Sequence, residues 1–87
     1  MDRQATEKFW RRYWNLPVEI QEAADKQYQL WEKDPTHPSL HFKKLSGSLW
    51  SARITQDYRT VGVREGNTMV WFFIGTHAEY DQLLAAL

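Results

Sequence analysis

The pattern of apolar and polar residues divides the chain into a helical first part and a strand-rich second part. Apolar side chains recur at helical spacing between Thr6 and Asp34, which is typical of amphipathic helices. Asn15-Leu16-Pro17 interrupts this pattern, and proline suits the first turn of a new helix. We therefore predict a helix that begins at Thr6 and a second that runs from Pro17 to Asp34, packed together as an antiparallel hairpin.

The second predicted helix has a stripe of buried residues, namely Ile20, Ala24, Tyr28 and Trp31. After the loop at residues 34–39 the apolar period changes to two, which predicts strands at 41–45, 49–55, 58–65 and 68–75. Residues 79–87 predict a closing helix. The fold class expected is α+β: an N-terminal antiparallel helical hairpin packed on an antiparallel sheet of three to four strands, with a short C-terminal helix. Whether residues 1–6 add a short first strand stays open.

Two tight turns, Gln56-Asp57 and Gly66-Asn67, set the expected register of the sheet. In this register one face packs against the helical hairpin and carries Trp50, Ala52, Ile54, Val61, Val63, Val70, Phe72 and Ile74. The opposite face carries Ser51, Arg53, Tyr58, Thr60, Arg64, Met69, Trp71 and Phe73.

The opposite face mixes cationic and aromatic side chains. Arginine binds phosphate through paired hydrogen bonds and aromatic rings stack on bases, so Arg64, Trp71 and Phe73 are candidate RNA contacts. The same composition marks a protein interface, or a face covered by the C-terminal helix, and these alternatives stay open. Lys43 and Lys44 are candidate RNA contacts as well, but adjacent strand residues alternate, so only one of them can share a face with Arg53.

Arg59 falls on the core face in this register. We expect it to be a structural arginine that pairs with a carboxylate or with carbonyl oxygens. His37 and His41 have a spacing that could hold a metal on a helix, but Pro38 between them forbids that geometry. We expect no metal and no cofactor.

Arg53, His77 and Tyr80 form the candidate catalytic group. Histidine suits proton transfer near neutral pH, tyrosine can donate a hydrogen bond or stack, and arginine can stabilise charge that grows on phosphate. These residues suffice for RNA cleavage without metal, in which a base deprotonates the ribose 2′-hydroxyl and an acid protonates the leaving 5′-oxygen. The alternative is that His77 and Tyr80 only begin the last helix.

Length and composition narrow the function classes. A chain of 87 residues suits one domain with one modest core, spanning residues 1–87. Its 11 basic and 11 acidic residues give zero net charge, which weakens nucleic-acid binding by overall charge, although residues 15–35 are acidic and 36–64 are basic. There is no cysteine, no apolar run of membrane-spanning length and no signal segment at the start. We expect a cytoplasmic protein that does not bind membranes.

Three segments carry a resemblance to a known family: LPVEIQEAADKQYQLWEKDPTHPSLHFKKL, WSARITQDYRTVGVREGN and WFFIGTHAEYDQLL. The most specific pieces are His37-Pro38-Ser39-Leu40, Lys44-Leu45, Ser51-x-Arg53-Ile54, Tyr58-Arg59 and Gly75-x-His77-x-x-Tyr80. Together they resemble the RelE/ParE superfamily of bacterial toxins from type II toxin–antitoxin systems. The resemblance covers nearly the whole chain and implies a helical hairpin on an antiparallel sheet.

The resemblance implies a toxin that a cognate antitoxin neutralises. RelE-like members cleave mRNA on the ribosome without metal, and by position Arg53 matches the catalytic arginine, His77 the late basic residue and Tyr80 the late aromatic. Lys43 or Lys44 matches the lysine-bearing strand. ParE-like members instead inhibit DNA gyrase, so the alternatives are a gyrase inhibitor or an inactive antitoxin-binding relative. We expect the antitoxin to bind the sheet face that bears Met69, Trp71 and Phe73.

Overall fold

The computed structural model describes residues 1–87 as three helices and a five-stranded sheet. In chain order the elements are β1 (Asp2–Ala5), α1 (Glu7–Trp14), α2 (Val18–Lys33), a 3₁₀ turn (Pro38–Leu40), β2 (Lys43–Ser46), β3 (Leu49–Thr55), β4 (Tyr58–Glu65), β5 (Thr68–Thr76) and α3 (His77–Ala85). The strand order is β1-β5-β4-β3-β2, and only β1 and β5 run parallel. The predicted α+β fold is confirmed. None of the helices is long and apolar enough to cross a membrane.

The N-terminal residues form the strand that the sequence left open. β1 lies along β5, and the flanking backbone bonds run from Asp2 N to Asn67 O at 2.9 Å and from Thr6 N to Trp71 O at 2.9 Å. Its first three side chains are exposed, so β1 has no alternating apolar pattern from which a strand can be predicted. Polar side chains of this kind are usual on a sheet edge.

The helix boundaries follow capping residues. The Thr6 hydroxyl accepts a hydrogen bond from Phe9 N at 3.2 Å, as an N-cap does. α3 begins at His77, two residues before the predicted start, because Thr76 and Glu79 form a capping box. In it, Glu79 N donates to Thr76 Oγ1 at 3.1 Å and Thr76 N donates to Glu79 Oε1 at 2.9 Å.

A bulge at Phe72 changes the register of the β4–β5 hairpin. Near the turn, Val63 pairs with Val70 as predicted, and Gly62 pairs with Trp71. Beyond that point Val61 pairs with Phe73, not with Phe72. One extra residue reverses which face the following side chains take. Met69 and Trp71, before the bulge, pack under α1 and α2, on the opposite side from the one predicted, whereas Phe73 and Ile74, beyond it, take the predicted faces.

A second bulge, at Ile54, changes the β3–β4 hairpin. Thr55 pairs with Tyr58 at the turn, but Arg53 then pairs directly with Arg59. Directly paired residues share a face of a sheet. Arg59 therefore lies on the same face as Arg53, and its predicted place on the core face is wrong.

The sheet is covered on both sides. The core under α1 and α2 contains Phe9, Tyr13, Ala24, Tyr28, Trp31, Leu40, Ala52, Ile54, Met69, Trp71 and Ile74. A smaller core under α3 contains Val61, Phe73 and Tyr80, with Leu45, Leu49, Phe72, Leu83 and Leu84 packed against it. Val61 and Phe72 thus pack under α3, on the opposite side from the one predicted.

The predicted antitoxin face does not exist as an exposed surface. Met69, Trp71 and Phe73 have relative exposures of 0%, 1% and 4%. Thr60 is buried as well, and its hydroxyl bonds with the Tyr28 hydroxyl of α2 and donates to Phe73 O at 2.9 Å. Burial raises the pKa of Tyr28 well above its usual value, so this phenol stays a neutral hydrogen-bonding group that ties α2 to the sheet.

Candidate functional site

One pocket collects most of the cationic side chains that the sequence singled out. It has a volume of about 120 Å³ and lies where the α3 face of the sheet meets the start of α3. We call it the basic pocket; its lining residues are His41, Lys43, Ser51, Ala52, Arg53, Arg59, His77 and Tyr80.

Strand pairing decides which lysine belongs to the pocket. Lys43 pairs with Ser51, which shares the face of Arg53, whereas Lys44 pairs with Trp50 on the face of the helical hairpin. Both lysines are exposed. The two neighbours therefore differ mainly in the side of the sheet on which they lie.

The two pocket arginines form a cross-strand pair, in which Arg59 is anchored. One Arg59 guanidinium nitrogen, Nη1, donates to the carbonyl oxygens of Thr55, Gln56 at 3.1 Å and Tyr58 at 3.0 Å. Burial, and then the charge of Arg53, lower the pKa of Arg59. The pairing with carbonyls agrees with the structural role expected of Arg59, but its place in the pocket was not predicted.

His41 is a pocket residue that the sequence reasoning missed. It follows the 3₁₀ turn with a φ of 45°, in the left-handed region that is sparsely populated for residues other than glycine. Its Nε2 lies 3.4 Å from Arg53 Nη1. His37, with which it was considered as a metal pair, instead caps the turn, because its Nδ1 accepts from Ser39 N at 3.2 Å.

α3 supplies the last two pocket residues. His77 is the first residue of the helix, and its Nδ1 lies 3.2 Å from Asp81 Oδ2 one turn later. Its ring meets the Tyr80 ring edge-on at 5.7 Å between centroids. Tyr80 is buried, and its hydroxyl donates to Ser51 Oγ at 3.4 Å. The last helix thus both begins at His77 and places it in the pocket.

Four predicted RNA contacts lie outside the pocket. Lys44 is on the opposite face, and the Arg64 guanidinium lies 5.2 Å from the centre of the Trp50 ring and donates to Gly66 O at 3.3 Å. The RNA-stacking role predicted for Trp71 and Phe73 is wrong, because their rings are buried and stacking needs an accessible ring face.

The pocket concentrates positive charge on a neutral chain. Two arginines and a lysine line it beside two histidines, and no carboxylate is among its lining residues. Such a site suits a phosphate group, and histidines next to it can move protons. No group of three or more His, Cys, Asp or Glu side chains in the protein is arranged to hold a metal ion.

The fold is similar to solved toxin structures. A YoeB/ParE toxin from Agrobacterium tumefaciens matches with 20% identity over 88% of this chain and 99% of its own, with a TM-score of 0.68. The RelB–RelE antitoxin–toxin complex from Methanococcus jannaschii gives 12% identity, 91% and 95% coverage and a TM-score of 0.73. YafQ from Escherichia coli gives 12% identity, 91% and 96% coverage and a TM-score of 0.67.

At the level of sequence, no curated protein is significantly similar to the chain. The family model described as a ParE-like toxin domain matches residues 18–82, which include the second helix, four of the five strands and the whole basic pocket. This chain therefore belongs to the ParE-like toxin domain family of the RelE/ParE superfamily.

Proposed function

We propose that this toxin is a metal-independent endoribonuclease that cleaves mRNA on the ribosome. The observation that carries the proposal is the basic pocket, in which the cross-strand pair Arg53–Arg59 stands beside His41 and His77. Two adjacent guanidinium groups favour the phosphorane-like transition state, whose charge exceeds that of the ground-state phosphodiester.

The chemistry assigns each side chain a step. Arg53, free of the carbonyl anchors that hold Arg59, contacts a non-bridging phosphate oxygen, and Lys43 adds a charge at the pocket rim. One of His77 and His41 accepts the proton of the ribose 2′-hydroxyl, and the other donates a proton to the leaving 5′-oxygen. The Tyr80 hydroxyl exchanges its 3.4 Å hydrogen bond to Ser51 Oγ for one that it donates to the substrate.

Asp81 is a positioning residue in this mechanism. Its carboxylate accepts a hydrogen bond from His77 Nδ1, so the His77 Nε2 atom is left to exchange a proton with the substrate. Both side chains are about half exposed, at 48% for His77 and 62% for Asp81. Solvent therefore screens the pair, and it contributes little free energy.

We also propose that a cognate antitoxin binds and neutralises this protein. The support is the family of the chain together with its structural similarity to a toxin whose solved structure contains an antitoxin. A ribosome-directed nuclease of this kind acts in the cytoplasm, which agrees with the location expected from the sequence.

The test is cleavage of ribosome-bound mRNA by matched pairs of variants. Losing a preorganised charge donor in Arg53→Ala is expected to lower the rate about 100- to 1000-fold, and losing a proton-transfer group in His77→Ala about 100- to 10,000-fold. The control for Arg53 is Arg64→Ala, another sheet arginine that lies outside the pocket.

The adjacent lysines give a second matched pair. Lys43→Ala should cut more slowly than the parent, whereas Lys44→Ala should cut at the parental rate, because only Lys43 lines the pocket. Equal effects at the two positions would contradict the assignment of the pocket.

A gyrase inhibitor is the second candidate, and the observations that favour it are the ParE-like family model and the zero net charge. A parent protein that leaves ribosome-bound mRNA intact but blocks DNA supercoiling by gyrase would establish this candidate instead.

A further inference from the structure

A groove on the other side of α3 combines a cationic wall with an apolar floor. It has a volume of about 440 Å³ and lies between α1 and α3. Lys8, Arg11 and Arg12 come from α1, while Phe72, Phe73 and Leu83 form the floor and the facing wall. We call it the α1–α3 groove. It shares no lining residue with the basic pocket.

The floor of the groove exists because of the β5 bulge. Phe72 and Phe73 both pack with the core under α3, although consecutive strand residues normally take opposite faces. The Arg12 guanidinium covers the buried Phe73, at 4.6 Å from its ring centre, whereas Phe72 and Leu83 stay partly exposed. The groove therefore offers two partly exposed apolar side chains to a ligand.

The cations of the wall are only partly neutralised within the chain. Arg11 pairs with Glu7 at 2.8 Å and Arg12 with Glu79 at 3.1 Å, while Lys8 has no ion pair. No carboxylate lines the groove itself. A ligand that brings both carboxylates and apolar side chains would complement this surface.

We infer that the α1–α3 groove binds an acidic amphipathic segment of the antitoxin; this rests on the proposed antitoxin partner and is independent of nuclease activity. Apolar side chains of the segment would cover Phe72 and Leu83, and its carboxylates would pair with Lys8 and Arg11. α1 has eight residues and is about 12 Å long at 1.5 Å per residue, which is enough to hold two turns of a helix.

The apolar floor favours a protein ligand over RNA. A nucleic acid would need cations spaced along its backbone and accessible rings for its bases. In this groove all the cations come from α1, and the Phe73 ring is already covered by Arg12. RNA binding in the groove is therefore the competing outcome of the experiment.

The experiment titrates the protein with a fluorescein-labelled 12-residue peptide that has leucine at every third and fourth position and glutamate at the others. The anisotropy should rise on binding, and a peptide with lysine in place of glutamate should not bind. In Lys8→Glu/Arg11→Glu the affinity for the acidic peptide should fall by about tenfold or more, because like charges then face each other.

The control variant is Lys26→Glu/Lys33→Glu, which makes the same charge change at exposed positions of α2 and should leave the affinity unchanged. If the parent cleaves ribosome-bound mRNA, both double variants should cleave it at the parental rate. The anisotropy measurement does not depend on cleavage, so failure of the nuclease proposal would leave the binding result unchanged.

Three results would overturn the inference: no binding of the acidic peptide, equal loss of affinity in both double variants, or binding of the lysine peptide as tightly as the acidic one. A 12-nucleotide RNA that displaces the acidic peptide from the parent but not from Lys8→Glu/Arg11→Glu would assign the groove to RNA, which also overturns it.

Discussion

Trp71→Ala tests the register that the two bulges impose on the sheet. In the predicted register Trp71 is an exposed RNA contact, whereas in the structure it is 1% exposed and lies at the centre of an aromatic cluster. Its ring is 5.4 Å from that of Tyr28 and 5.6 Å from that of Trp31, with both pairs near edge-to-face geometry. The substitution therefore removes a large side chain from the main core.

The expected loss is large relative to the stability of a small domain. Truncation of a buried tryptophan to alanine costs about 3–5 kcal/mol. At roughly 0.05–0.15 kcal/mol per residue, an 87-residue chain has a free energy of unfolding of about 4–13 kcal/mol. Trp71→Ala should thus remove between about a quarter and all of this free energy of unfolding.

The control is Trp14→Ala, which removes the same side chain from a position that is 67% exposed. Surface substitutions of this kind usually change stability by about 0.5 kcal/mol or less. Urea unfolding should be followed by far-ultraviolet circular dichroism, because each variant loses a fluorophore. With a slope of about 1–3 kcal/mol per molar urea, the Trp71→Ala midpoint should fall by more than about 1 M relative to the control.

Trp71→Phe separates folding from any role in RNA contact. It keeps an aromatic ring in the core and removes an indole N–H that has no hydrogen-bond partner, so it should be less destabilising than Trp71→Ala and should cleave mRNA at the parental rate. A Trp71→Ala protein that unfolds at the same urea concentration as Trp14→Ala would refute this register and indicate that Trp71 is exposed.

Three further predictions concern the sheet, the capping box and the pocket. Gly62→Ala should lower the free energy of unfolding by about 1–3 kcal/mol in a urea titration, because the new Cβ would stand 2.9 Å from Val70 O and 2.8 Å from a methionine methyl group. The pKa of Glu79 is lowered by hydrogen bonds, first from the Thr76 backbone, so the carboxylate stabilises the fold above its ordinary pKa of 4.5 and this contribution is lost as the pH falls through the folded-state pKa. Thermal melts should therefore show a steeper acid loss in the parent than in Glu79→Gln, and equal slopes would contradict the assignment. Asp81→Asn should slow mRNA cleavage by at most about fivefold, since an exposed pair contributes ~1 kcal/mol or less, and the difference from the parent should shrink at high salt; a loss as large as that in His77→Ala would give Asp81 a direct catalytic role.

The sequence by itself determined the elements that depend on local interactions. The helical hairpin follows from its apolar period, from the capping residue Thr6 and from the break at Pro17. The hairpin turns follow from Gln56-Asp57 and Gly66-Asn67. Next to Gly66-Asn67 the pair Val63–Val70 agrees with the expected register, whereas next to Gln56-Asp57 the register already differs at Arg59, which pairs with Arg53 and not with Ile54. Residue chemistry and the family resemblance also selected Arg53, His77 and Tyr80, which the structure brings together in one pocket.

Only the tertiary structure decided which face each strand residue takes. Residues 69–74, MVWFFI, are all apolar, because β5 is covered by α1 and α2 on one side and by α3 on the other. A strand that is buried on both faces has no alternation from which its faces can be read. A bulge adds one residue and reverses the side chains beyond it, and this reversal puts Phe73 under α3 and Trp71 in the main core.

The membership of the basic pocket also depended on tertiary structure. Arg59 enters it through the bulge at Ile54, and His41 enters it through a left-handed backbone conformation after the 3₁₀ turn. Neither feature has a local sequence signal, because each depends on the packing of β3 against β4 and of the turn against the sheet. Residue types and spacing therefore indicated the chemistry of the site, whereas the pairing of the strands decided which side chains take part in it.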